Sequence, residues 1–183
     1  MSDSSLKLRM MIVTALFAAI IGVLAQLTIP LPLVPITGQT LAIGLAATIL
    51  GSRYGTISVL LYLIIGAVGV PVFAQMSAGV GILFGPTGGY LIGFIPSAFI
   101  IGYFLEKTSF TIKNAVIANL IGTVIALVFG TVWLKIVAEL SWTAAFASGA
   151  APFIIVGVIK AVLAAWIGIV VRQRLASAKL LYA

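Results

Sequence analysis

The chain has 183 residues and a net charge of +7; hydrophobic residues make up 63% of it and charged residues 7%, and its mean hydropathy is +1.33. A soluble globular domain carries roughly a quarter charged residues to cover its surface, so this composition excludes a water-soluble fold and points to lipid as the solvent. Cysteine and histidine are absent, which excludes disulfides, thiolate chemistry and the usual general base and metal ligand, and the basic residues are scattered among apolar segments, a membrane-orientation pattern rather than a nucleic-acid-binding one.

A spanning helix needs about 20 mostly apolar residues, and clusters of Pro, Gly and charge mark the breaks. On that basis the chain reads as one all-α integral membrane domain of six transmembrane helices. The basic start up to Arg9 precedes an apolar run, 10–29, that is too long for a signal-peptide core and lacks a small-x-small cleavage site. The first helix, about 8–29, is therefore read as retained. It stops at Pro30-Leu31-Pro32-Leu33-Val34-Pro35, because proline has no amide donor to continue a helix. A second helix covers about 38–50 and stops at Gly51-Ser52-Arg53-Tyr54-Gly55; a third covers 56–70 and stops at Pro71. A long Gly-rich apolar stretch, 72–89, precedes a fourth helix over 90–105 with Pro96 inside it. The polar loop Glu106-Lys107-Thr108-Ser109 leads to a fifth helix over 113–138, and a loop around 139–151 leads to the sixth, over 152–171. Helices two and three are shorter than a full span. Either they extend into the Pro-rich loop or their broken backbone lines a cavity, and the second reading is adopted because they flank the Gly-rich stretch.

With the N-terminus in the cytoplasm, Lys7, Arg9, Arg53, Lys107, Lys113, Arg172, Arg174 and Lys179 all fall on the inner side. The outer connections, around 30–37, 71–89 and 139–151, contain no Lys or Arg. The positive-inside rule therefore predicts both termini in the cytoplasm. Two lysines remain. Lys135 lies four residues before Glu139, the spacing of a helical ion pair. Lys160 lies inside the sixth helix among Ile159, Ala161, Val162 and Leu163, where a charge is costly unless paired or hydrated. The three acids are Asp3, Glu106 and Glu139, and none is predicted inside the membrane. Lys160 thus either snorkels or rests on backbone carbonyls, or it meets a carboxylate that arrives with a ligand.

Other machinery is missing. No intramembrane Asp, Glu or His is present to relay protons, which argues against a proton-coupled carrier. Gly85-Pro86-Thr87-Gly88-Gly89 lacks the lysine of a phosphate loop, so no ATPase motif is present. No nucleophile, base and metal-ligand set suggests an enzyme, and no cofactor is expected. Ala15, Ala19 and Gly22 form a small-residue stripe on the first helix, suited to internal packing or to docking on a separate subunit.

Four stretches carry a resemblance that runs in order along the chain to Lys160: Pro35-Ile36-Thr37-Gly38-Gln39-Thr40, Gly51-Ser52-Arg53-Tyr54-Gly55, Gly66-Ala67-Val68-Gly69-Val70-Pro71-Val72-Phe73 and Gly85-Pro86-Thr87-Gly88-Gly89-Tyr90-Leu91. They resemble the BioY family, the biotin-binding S components of energy-coupling factor (ECF) transporters. The resemblance implies a six-helix, multi-pass subunit of a bacterial or archaeal cell membrane that captures biotin from outside. It also implies three partners, a transmembrane T subunit and two ATPase subunits, with Ala15 and Ala19 matching the Ala-xxx-Ala motif that contacts the T subunit. Gln39, Tyr90 and Lys160 match substrate-site positions.

Two departures bear on the ligand. Gly157 stands where the family usually has Asp, three residues before the lysine, and Gln75 and Met76 stand where glycines are common, followed by Ser77. An Asp would accept the N–H groups of a ureido ring; without it, Gln75 and Ser77 are the expected substitutes. Alternatively the ligand's head is apolar and Met76 packs against sulfur or carbon, which fits lipoate. Biotin is the first expectation, lipoate or a similar acid the alternative, and a structural or assembly subunit without ligand the alternative of another class. The stretch 72–89 is expected to act as a lid over an outward-facing pocket.

Overall fold

The computed structural model describes residues 3–178 and Leu180. Lys179 and the side chain of Asp3 lie outside the described residues. The elements are α1 (Asp3–Ala25), the two-residue strands β1 (Thr28–Ile29) and β2 (Ile36–Thr37), α2 (Gln39–Ala67), a 3-10 turn (Ala74–Met76), α3 (Gly81–Phe84), α4 (Gly88–Lys107), α5 (Ile112–Val137), α6 (Trp142–Gly149) and α7 (Ala151–Ser177). Among the described residues, five helices are long and apolar enough to cross a membrane. Their outer surfaces are as apolar as their inner ones: Ile155 is 74% exposed and Val23 68%. Only a lipid environment removes the cost of such a surface.

The helix α2 is a hairpin and not a rod. At Gly51 the backbone turns to φ 80°, ψ −173°, a region essentially reserved for glycine. Beyond it the chain runs back along itself. The amide of Gln39 donates to the hydroxyl of Tyr62 at 2.5 Å, although a straight helix would hold those residues about 35 Å apart. A Cβ on Gly55 would lie 2.8 Å from the Cα of Ala47, so the two limbs, 39–50 and 52–67, touch backbone to backbone. The gap expected over 51–55 is therefore a single residue.

Glu106 and Arg172 hold this reversal from opposite sides. The carboxylate of Glu106 accepts from the backbone N–H and the hydroxyl of Ser52, both at 2.7 Å. The guanidinium of Arg172 donates to the carbonyl of Ile49 at 2.5 Å and lies 3.6 Å over the ring of Phe110. An anion at the start of one limb and a cation at the end of the other complement both helix dipoles.

Several predicted boundaries move. α1 stops at Ala25, and Thr28–Ile29 instead pairs antiparallel with Ile36–Thr37, because the three intervening prolines leave the backbone extended and short of donors. The expected loop 139–151 contains α6, which opens with Ser141 accepting from the N–H of Ala144 at 3.2 Å; eight residues are too few to register as a spanning segment. The stretch 72–89 contains the 3-10 turn and α3. Lys135 does not form the expected ion pair. α5 ends at Val137 and Glu139 has φ 50°, so the helical spacing no longer applies, and the ammonium lies 5.3 Å over the ring of Trp142.

Small residues and buried polar contacts bring the helices together. A Cβ on Gly44 would lie 2.9 Å from that of Ala164. Asn119 donates to Thr48 at 3.0 Å, which ties α5 to α2. The stripe on α1 divides: Ala15 and Ala19 are exposed, while Gly22 turns inward, where a Cβ would lie 3.2 Å from that of Val72.

Candidate ligand-binding site

A cavity opens between the loop before β2, the first limb of α2, the segment around the 3-10 turn, and helices α4, α5 and α7. It encloses about 710 Å³ of non-atom space, open mouth included. Phe73, Tyr90, Phe94 and Phe153 give it aromatic walls, with Val34, Ile82, Leu91, Leu127 and Val156 between them. Its polar groups are few: Thr37, Gln39, Thr40, Thr87, Thr123 and Lys160.

Lys160 reaches the cavity from α7. Its ammonium donates to the carbonyl of Thr37 at 2.5 Å and to the hydroxyl of Thr40 at 3.4 Å. Of the readings open from the sequence, support from a backbone carbonyl describes this contact. Glu106 and Glu139 are the two described carboxylate side chains; Glu106 is bound to Ser52 beside the Gly51 reversal, and Glu139 follows α5. Arg172, which meets the limb next to that reversal, is about 18 Å along α7 from Lys160. The ammonium has three protons, and two partners leave it able to engage a further acceptor in the cavity.

Gln39 is 5% exposed, and both ends of its carboxamide are bonded. Its carbonyl oxygen accepts from Thr37 at 2.7 Å and its amide donates to Tyr62. The chain of Lys160, Thr37, Gln39 and Tyr62 is thus one connected network, which fixes the positions of the cavity's polar groups. The ring of Tyr90 lines the cavity, but its hydroxyl donates to the carbonyl of Gly149 at 2.6 Å, joining α4 to the α6–α7 corner. Gly157 lines the cavity too, where a Cβ would lie 2.9 Å from the methyl of Thr123.

The structure therefore brings Lys160, Gln39, Tyr90 and Gly157 together. Gln75, Met76 and Ser77 are adjacent to the lining residues Phe73 and Ala74 but are not themselves among the lining residues. Gln75 is exposed, Met76 is 66% exposed, and the hydroxyl of Ser77 donates to the carbonyl of Ala74 at 2.7 Å. The reason is the backbone: Gln75 and Met76 have φ 58° and 57°, a tight turn that sends their side chains away from the cavity. Sequence reasoning missed Thr37, Thr40, Phe73, Phe94 and Phe153. Isolated threonines and phenylalanines in an apolar chain carry no signal of their own. The proximity of Thr37 and Thr40 to Gln39 was the one available hint.

Comparison with known proteins agrees with this geometry. The BioY family matches residues 1–177. The biotin transporter BioY2 of Lactococcus lactis subsp. cremoris is 41% identical over 169 residues, covering 92% of this chain and 93% of that protein. The biotin transporter BioY of Rhizobium etli is 39% identical over 171 residues, covering 87% and 91%. Among solved structures, the S-component for biotin from an ECF-type ABC transporter superposes with a TM-score of 0.86 at 31% identity, covering 94% of this chain and 95% of that one. The chain belongs to the BioY family.

Proposed function

We propose that this chain is the S component of an ECF importer, a single membrane domain that captures biotin on the outer side and delivers it through a T subunit driven by two ATPase subunits. The observation that carries the reading is Lys160, a cation set among aromatic walls and bound to a carbonyl and a hydroxyl, with no carboxylate hydrogen-bonded to it among the described residues. A ligand with a carboxylate and a compact ring supplies both what the ammonium lacks and what the apolar walls accept. The named relatives and the similar solved structure support biotin as that ligand. Gln39 acts through Thr37 by holding the carbonyl that Lys160 uses, and Tyr90 contributes its ring as a wall. Gln75, Met76 and Ser77 belong to a lid, and Gly157 lets the methyl of Thr123 pack close to α7 in the cavity wall.

Six spans are assigned to α1, the limbs 39–50 and 52–67, α4, α5 and α7. The limb 39–50 is about 18 Å long, well short of a hydrocarbon core of about 30 Å, so its Gln39 end and the cavity lie within the membrane. The groove at the Gly51 end gathers Lys7, Arg53 and Arg172, which supports a cytoplasmic location for that end and for both termini.

The reading is tested by calorimetric titration of the detergent-purified protein with biotin and lipoate side by side. Saturable one-site binding of biotin, tighter than lipoate, is expected. Tight lipoate binding with negligible biotin binding would replace the ligand. Binding of neither would remove the capture role and leave a structural subunit.

A further inference from the structure

We infer that Gln26, a residue outside the cavity, is the positioning residue that clamps the lid, and so sets how long a ligand stays bound. The inference rests on the ligand-binding reading above. It starts from the two residues whose backbone is least suited to its place. Gln75 and Met76 both carry a Cβ, yet both sit in the left-handed region with φ 58° and 57°, which sterics disfavour for such residues. Two consecutive positions of this kind persist only where the surroundings impose them.

The turn closes on itself, with the Phe73 N–H donating to the Ser77 carbonyl at 3.0 Å and the Ser77 hydroxyl to the Ala74 carbonyl at 2.7 Å, and the side chain that ties it to α1 is Gln26. It follows the last residue of α1, and its carboxamide reaches across to the segment 72–76. The two N–H groups of its Nε2 are shared among three carbonyls, those of Phe73 at 3.0 Å, Val72 at 3.3 Å and, in its own helix, Gly22 at 3.0 Å. Its Oε1 accepts from the backbone N–H of Met76 at 2.9 Å. One carboxamide thus binds the segment both before the strained pair and within it, using a donor for the first and an acceptor for the second. No other side chain of this length offers both. Methionine fills the same space without bonding, and glutamate can accept but not donate.

The clamped segment carries a cavity wall. Phe73 lines the cavity, is 1% exposed, and meets Tyr62 edge-on at 5.5 Å between ring centres. Tyr62 in turn holds Gln39. The amide of Gln26 therefore connects the end of α1, through Phe73 and Tyr62, to the network that orients Lys160. Without it, the segment has no bond that fixes the carbonyls of Val72 and Phe73 to α1, and relaxation of Gln75 and Met76 to ordinary backbone angles withdraws Phe73 from the cavity.

The test compares Gln26→Met and Gln26→Glu with the unaltered full chain. The first measurement needs no ligand: hydrogen exchange of the backbone over 72–77, expected to accelerate about tenfold or more in Gln26→Met, where every bond is removed, and less in Gln26→Glu, which still accepts from the Met76 N–H. The second is the dissociation rate of biotin, expected to rise about tenfold or more with an undiminished association rate, because a loosened lid releases ligand but does not obstruct it. A folding defect would instead lower the fraction of molecules that bind, which the calorimetric stoichiometry reads separately. Exchange over 72–77 and biotin release at unaltered levels in a folded Gln26→Met protein would overturn the proposal. If the unaltered chain binds no biotin, the ligand assignment fails, and the exchange measurement still decides whether Gln26 holds the segment.

Discussion

Replacing Lys160 by methionine separates the charge from the packing. Methionine keeps an unbranched side chain of similar length beside Val156 and Thr123 while removing the ammonium that donates to Thr37 and Thr40. The Thr37 carbonyl and the Thr40 hydroxyl each lose one partner, but removing a cation from an apolar setting relieves its desolvation. The fold should therefore be kept. Ligand binding should not. A hydrogen bond to a charged group is worth about 1.5–3 kcal/mol, which corresponds to a loss of roughly 10- to 150-fold in biotin affinity. The assay is calorimetric titration of both proteins with biotin and with its methyl ester, arranged as a double-mutant cycle. The ester should bind the unaltered protein as weakly as biotin binds Lys160→Met, and the ester and the variant together should cost no more than either alone. Unchanged biotin affinity in the folded variant, or fully additive losses, would refute a direct contact between Lys160 and the carboxylate.

Three further outcomes follow from the same geometry. Ala15→Trp with Ala19→Trp places bulk on the exposed face of α1 and should abolish biotin uptake by the complete transporter while leaving binding to the isolated chain intact; surviving uptake would assign the stripe to packing. Gly157→Asp should leave biotin affinity unchanged or improved and lower that for lipoate, since a carboxylate beside Thr123 accepts from a ureido ring but is buried against an apolar head; titration of both ligands reads the contrast. Gly51→Ala forces a Cβ into a glycine-only conformation and against the carboxylate of Glu106, and should destabilise the protein by about 1–3 kcal/mol, read as a fall of roughly 2–12 °C in melting temperature; an unchanged midpoint would mean that the reversal relaxes without cost.

The solvent of this protein and the signs of its orientation are written in the sequence, because the first depends on composition and the second on where Lys and Arg stand along the chain. A chain with 7% charged residues has no means of covering a water-facing surface, whatever its fold. The helices long enough to span were legible for the same reason. So was Lys160, since a lone cation in an apolar run stands out without reference to its neighbours. What the tertiary structure decided is everything that depends on which residues meet. Gly51 reads as a break, but only the fold shows it to be a reversal that brings Gln39 to Tyr62. Gln75 and Ser77 read as cavity residues by motif, yet a turn of two left-handed residues directs them elsewhere. Gln26 gives no signal in the sequence at all. Its importance comes from four hydrogen bonds, three of them to a segment about 50 residues away. Periodicity and composition record how each residue meets its solvent; contacts between distant segments are set by the packing of whole helices, and a single sequence carries no local trace of them.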